Sequence, residues 1–166
     1  QLLVERYAQE HGSHPRSIAL SAWGTSNMRT GGDDVAQALA LIGARPTWDG
    51  ASGRVLGYEI LPLAALGRPR VDVTLRVSGF FRDAFRHLIE LFDVAALAIA
   101  RLDRESPEDN PLAASQARYR VFSAPPGGYG AGLQALVDTG AWATRSDLAE
   151  AFLATGGYAY GSGAYG

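Results

Sequence analysis

Val71-Asp72-Val73-Thr74-Leu75-Arg76-Val77-Ser78-Gly79-Phe80-Phe81-Arg82-Asp83-Ala84-Phe85 changes its hydrophobic period part-way through. Residues 71–77 alternate apolar, mostly β-branched side chains with polar ones, which reads as a strand. Ser78-Gly79 ends it. From there the apolar residues fall at Phe81, Phe85, Leu88, Phe92, Ala95, Ile99 and Leu102, in alternating steps of four and three. That spacing predicts one continuous helix with a single apolar face, and places Arg82, Arg86, Glu90 and Asp93 on the other side. A strand that feeds a long amphipathic helix is a building unit of α/β layers.

The flanking sequence extends the pattern. Ser17 to Trp23 is a short apolar run after Pro15 and reads as a buried strand. Residues 24–32 read as a polar loop. A helix follows, with Thr30 and Asp33 in capping-box-like spacing, Val35, Leu39 and Ile42 on one face, and Gly43 as its stop. Residues 54–63 suggest another strand, closed by Pro62, and residues 119–123 a short one. Residues 133–138 continue as a helix, and Ser146 caps a last one running to about Thr155. The expected fold is α/β: a layered arrangement with a mostly parallel sheet flanked by helices, one domain or part of one over residues 1–166. Three segments, Trp23–Gly32, Ser78–Asp83 and Ser123–Gly132, each follow a strand and lead into a helix. In a parallel sheet they gather at the carboxyl edge, where open α/β sheets bind ligands.

Composition narrows the chemistry. The 166 residues are 47% hydrophobic with a net charge of −2, so the chain can build a core but offers no broad positive field for nucleic acid. There is no Cys, which excludes disulfides, thiolate metal sites and a Cys nucleophile. All 15 basic residues are Arg, so a phosphate-binding P-loop Lys and a Schiff-base Lys are excluded as well. The longest apolar stretches, such as Val94 to Ala100, are too short to span a membrane. The chain opens at Gln1 within what reads as a polar helix and closes in Gly-rich sequence, so both ends are expected to continue into a longer protein.

Several residues can carry chemistry. Arg82 opposes the dipole at a predicted helix start. It either pairs with Asp83 in solvent or grips an anionic ligand. His87 lies four residues after Asp83, where a carboxylate can orient an imidazole for proton transfer, unless the two belong to an ordinary salt-bridged surface. His11 and His14 form an HxxH pair, but Gly12 and Pro15 argue against a helix there and no further ligand completes a metal set. Trp23, Thr25 and Asn27 offer an aromatic face, a hydroxyl and an amide in one loop. Tyr129 lies in Pro125-Pro126-Gly127-Gly128-Tyr129-Gly130-Ala131-Gly132, whose glycines allow close approach to a flat ligand.

Six motifs in order resemble the CobN/magnesium-chelatase large-subunit family. They are Ala22-Trp23-Gly24-Thr25-Ser26-Asn27-Met28-Arg29-Thr30-Gly31-Gly32-Asp33-Asp34, Gly43-Ala44-Arg45-Pro46, Leu66-Gly67-Arg68-Pro69-Arg70-Val71-Asp72-Val73, Ser78-Gly79-Phe80-Phe81-Arg82-Asp83-Ala84-Phe85, Gly128-Tyr129-Gly130-Ala131-Gly132-Leu133-Gln134 and Gly157-Tyr158-Ala159-Tyr160-Gly161. The last two are more similar to the cobalt branch than to the magnesium branch. Arg86 departs from the pattern, which has Pro there. Pro would suit the first turn of a helix.

The resemblance implies a fragment of a large cytoplasmic multidomain subunit that binds a tetrapyrrole. In the cobalt branch it implies cobalt as the substrate metal and hydrogenobyrinic acid a,c-diamide as the acceptor. ATP would be hydrolysed by AAA+ motor subunits, working with adaptor subunits, and not by this chain. Asp83 and His87 are then the candidate catalytic pair, with Trp23, Thr25, Asn27, Arg82 and Tyr129 as candidate tetrapyrrole contacts and the metal ligands unassigned. The alternatives are the magnesium branch, or a scaffold segment without catalytic groups.

Overall fold

A computed structural model describes residues 2–115 and 117–165, apart from the side chains of residues 164 and 165. The elements in order are α1 (Leu2–His11), β1 (Ser17–Ala22), α2 (Gly24–Thr30), α3 (Asp33–Ile42), β2 (Ala44–Trp48), β3 (Val55–Ile60), α4 (Leu63–Leu66), β4 (Asp72–Val77), α5 (Gly79–Ala84), α6 (Arg86–Ala100), α7 (Pro111–Ala114), β5 (Val121–Ser123), α8 (Gln134–Thr139), α9 (Arg145–Thr155), β6 (Tyr158–Gly161) and β7 (Ala164–Tyr165). None of the described helices is long and apolar enough to cross a membrane.

The main sheet has the order β1-β4-β5-β6-β7. β1 runs parallel to β4, and β4 parallel to β5, while β6 and β7 return antiparallel. The sheet is thus parallel where the sequence predicts strands, with an antiparallel edge drawn from the Gly-rich end. In β4 the alternation decides the packing: Val73, Leu75 and Val77 are buried. They share one core with Leu39 and Ile42 of α3 and with Phe92 and Ile99 of α6. On the other sheet face, the Arg76 guanidinium lies 4.4 Å from the ring centre of Phe152 in α9.

Several local expectations are corrected. Residues 24–30 form a helix and not a loop; its carboxyl end is closed by Gly31 in the left-handed conformation. β1 is an edge strand, with Ser17, Ala19 and Ser21 exposed, and not fully buried. The strand near residues 54–63 pairs with β2 in a separate two-stranded hairpin. Thr144 caps α9, through a capping box with Asp147, in place of Ser146.

The largest correction concerns the long helix. It breaks at Phe85, whose φ of −124° and ψ of 36° leave the helical region. Phe85 ends α5 by donating to Phe81 O and starts α6 by accepting from Leu88 N and Ile89 N. The break turns α6 relative to the expected stripe. Ile89 and Ala96 join Phe92, Ala95 and Ile99 in full burial, while Phe85, Leu88 and Leu102 are only half-buried. Asp93, expected on the polar side, is buried where it accepts from Ser162 N and Oγ, both at 2.8 Å. Arg86 occupies the first position of α6, the place where Pro is compatible with a helix.

Candidate functional site

Parallel pairing brings the segments after β1, β4 and β5 to one edge, and the contacts there are close. Ser78 Oγ accepts from Phe81 N at 3.1 Å, capping α5, and from Gly24 N at 3.2 Å, tying in the start of α2. Ser123 Oγ donates to Val77 O at 2.9 Å. Two glycines are required by proximity alone. A Cβ on Gly79 would lie 2.5 Å from Gly128 O, and one on Gly24 would lie 2.5 Å from the Phe80 ring.

At the centre is Arg82, which is fully buried. Its Nε and Nη2 donate to the two carboxylate oxygens of Asp83 at 2.6 and 2.8 Å. Its Nη1 donates to the carbonyls of Ala124, Pro125 and Gly128 at 2.9, 2.6 and 3.1 Å. Tyr129 Oη donates to Asp83 Oδ2 at 2.7 Å. α5 spans only Gly79–Ala84, so Arg82 lies in its last turn, where a cation suits the helix dipole; its counter-charge is Asp83, and the guanidinium holds a loop in place of an exposed ligand. Arg82 as a direct tetrapyrrole contact does not fit this burial.

The hydrogen bonds from Arg82 first, and from Tyr129 after it, hold the Asp83 carboxyl below the usual carboxylate range. The same bonds raise the Arg82 guanidinium further and push the Tyr129 phenol up. A depressed carboxylate pKa contributes stability above the free-Asp value of about 3.9 and loses it as pH falls through the lower, folded value. Carboxyl ¹³C titration of Asp83 is expected to give a midpoint below free Asp. A midpoint at or above it would contradict the pairing.

His87 is not part of this network. Among the described residues Asp83 bonds to Arg82 and Tyr129, and the break at Phe85 removes the helical i,i+4 relation on which an Asp83–His87 pair depended. The exposed His87 instead lines a cleft that joins α2 and α3 to the hairpin and α6. This cleft has a volume of about 380 Å³, with Val35, Leu39, Trp48, Phe85, Leu88 and Leu91 among its walls. Asn27 also lines it. It is 4% exposed, and its Oδ1 has no hydrogen-bond partner among the described residues. A second groove, about 340 Å³, continues past His87 and Leu91 towards Tyr58 and Val94.

The candidate residues thus separate. Arg82, Asp83 and Tyr129 form a loop clamp; Asn27 and His87 line a cleft; Trp23 and Thr25 are exposed at the start of α2. His11 and His14 are exposed, with His11 stacked on Tyr7 at 4.0 Å. No cluster of three or more His, Asp or Glu able to hold a metal ion occurs among the described residues. Sequence reasoning misses β2 as a wall of the cleft; Pro46 and Trp48, which line it, carry no strand pattern that marks it.

The family profile described as CobN/Magnesium Chelatase matches residues 1–166. The chain belongs to this family. It is 58% identical to the aerobic cobaltochelatase subunit CobN of Sinorhizobium sp, covering 100% of this chain and 14% of that protein. It is 38% identical to a magnesium-chelatase subunit of Rhodobacter capsulatus, over 94% of this chain and 14% of that protein. Among solved structures, the catalytic subunit of cobaltochelatase from Mycobacterium tuberculosis superposes with a TM-score of 0.94 at 49% identity, covering 99% of this chain and 15% of that one. The chain thus corresponds to a small part of these chelatase subunits. Within the family it is more similar to these cobaltochelatase proteins than to the magnesium-chelatase one.

Proposed function

We propose that this chain forms part of the tetrapyrrole- and metal-binding subunit of an ATP-dependent cobaltochelatase, in which cobalt is inserted into hydrogenobyrinic acid a,c-diamide during cobalamin biosynthesis. The identity to CobN over the whole chain carries the reading, at 58% against 38% for the magnesium branch. The cleft between α2, α3, the hairpin and α6 is the proposed tetrapyrrole site in this segment. Its apolar walls suit a flat ring, and His87 at its side is a proton acceptor for pyrrole N–H groups. The Arg82–Asp83–Tyr129 clamp is proposed to hold the neighbouring edge in shape. Asp83 is then a positioning residue, and Trp23 and Thr25 are outer contacts. ATP hydrolysis falls to AAA+ motor and adaptor subunits in the cytoplasm, since a chain without Lys has no P-loop Lys to offer.

The test is reconstitution. The full-length protein containing this sequence, mixed with its motor and adaptor subunits, cobalt, ATP and the a,c-diamide, is expected to give the metallated ring's absorption spectrum. The 166-residue chain alone under the same conditions is expected to stay at background. Preference for magnesium and a porphyrin by the complete complex would overturn the cobalt assignment. Turnover by the chain alone would overturn the division of labour.

A further inference from the structure

We propose that the free edge of β1 is the seat of a further strand, supplied by the part of the same polypeptide that lies outside residues 1–166. The course of the β1 main chain carries this. Asp72 N donates to Arg16 O at 2.9 Å, and Ser78 N to Ala22 O at 3.0 Å. Along a parallel strand, successive residues turn their main-chain groups to opposite sides. The even-numbered residues of β1 therefore bond to β4, and the N–H and C=O groups of Ser17, Ala19 and Ser21 turn the other way. No strand lies beyond β1 among the described residues, and Ser17, Ala19 and Ser21 are exposed. Such a row of main-chain donors and acceptors is a template for another strand.

Other strand edges in the molecule are blunted. β7 has only two residues. The β2–β3 hairpin carries Pro46, an Arg45–Glu59 ion pair and an irregularity at Thr47–Trp48. β1 has none of these devices. Its sequence Ser-Ile-Ala-Leu-Ser-Ala holds no charge and no Pro, and it keeps register with β4 from Ser17 opposite Asp72 to Ala22 opposite Val77. The core also thins there. Val73 and Leu75 are buried, while their partners Ile18 and Leu20 pack against the same core and are only half-buried. A strand of about five or six residues, apolar on the α3 side and small or polar on the other, covers both and pairs the outward groups. This chain spans 14% of the length of the CobN protein it matches, so a subunit of this family has ample polypeptide to supply that strand. A strand from the same polypeptide also outcompetes one from a second copy, through its high effective concentration. The inference rests on the family and not on the ligand of the cleft.

The experiment is residue-level amide hydrogen exchange on the full-length protein, at two protein concentrations. The amides of Ser17, Ala19 and Ser21 are expected to exchange at least about tenfold more slowly than unpaired amides, equally at both concentrations. Exchange at the unpaired rate would overturn the proposal. Protection that grows with concentration would overturn it too, by making the occupant a second copy. Ala19→Pro removes an N–H that only the incoming strand can use. It is expected to lose the protection at Ser17 and Ser21, while Thr74 and Arg76, whose amides bond to β1 from its other side, keep theirs. Unchanged protection at Ser17 and Ser21 in this variant would exclude strand pairing, leaving a loop or helix laid over the edge. An electron cryo-microscopy map of the unaltered full-length protein checks the same point without a substitution. Extended main chain about 4.8 Å from β1 is the expected result; a helix or open solvent there would overturn the proposal.

Discussion

Arg82→Ala is expected to lower the stability of the domain by about 3–5 kcal/mol, because the hydrogen bonds of a fully buried guanidinium are lost, while its partner Asp83 stays in contact with water. The guanidinium is fully buried and serves Asp83 on one side and three main-chain carbonyls on the other. Deleting it leaves Ala124 O with the bond from Tyr160 Oη at 2.7 Å, and leaves Pro125 O and Gly128 O without this donor. For a chain of this size the corresponding drop in melting temperature is roughly 10 °C. Arg82→Lys is expected to recover little, since one ammonium cannot place donors on both sides at once. A melting curve unchanged by Arg82→Ala would show that the loop is held by other contacts. The sequence leaves Arg82 either paired in solvent or gripping an anionic ligand; a guanidinium buried against its own loop puts the cost of its loss on folding.

Phe92→Ala is expected to cost a similar amount, about 3–5 kcal/mol, from a ring at 0% exposure in the centre of α6. Phe85→Ala is expected to cost less, roughly 1–2 kcal/mol, because a half-buried ring loses less transfer energy and leaves a cavity open to water. Chemical denaturation of the two variants side by side measures the difference. Equal losses would mean that Phe85 packs as deeply as Phe92 and that the helix break does not matter energetically.

Much of this arrangement is legible in the sequence. The alternation in residues 71–77 marks a core strand without ambiguity, and β4 lies between parallel neighbours. Three strand-to-helix junctions can be located, and parallel pairing then brings them together. What fails is phase. The four-three spacing runs unbroken through Phe85, since a single non-helical residue leaves apolar periodicity intact while turning everything after it. Asp93 and Arg82 are misplaced for a related reason: an ionisable residue reads as exposed until its partners are known, and Ser162 and the carbonyls near residue 125 are distant in sequence. Only one strand of the hairpin is legible, because Pro46 weakens the strand pattern in β2. The cleft depends on that hairpin as a wall, so its outline cannot be drawn from sequence, although Asn27 and His87 can be singled out.

Arg82 has further meaning in what it grasps. Its bonds to the 124–128 segment all end on main-chain oxygens. The side chains of that segment are therefore free of its grip, and Pro126 is exposed. Two further buried arginines work alike: Arg70 holds the carbonyls of Ile42, Gly43 and Leu61 beside Glu105, and Arg120 those of Leu112 and Ala117 beside Asp72. A scaffold fastened in this way separates inheritance of shape from inheritance of surface. Related proteins can rewrite the outward residues of these loops, and so change what they touch, while the path of the chain stays the same.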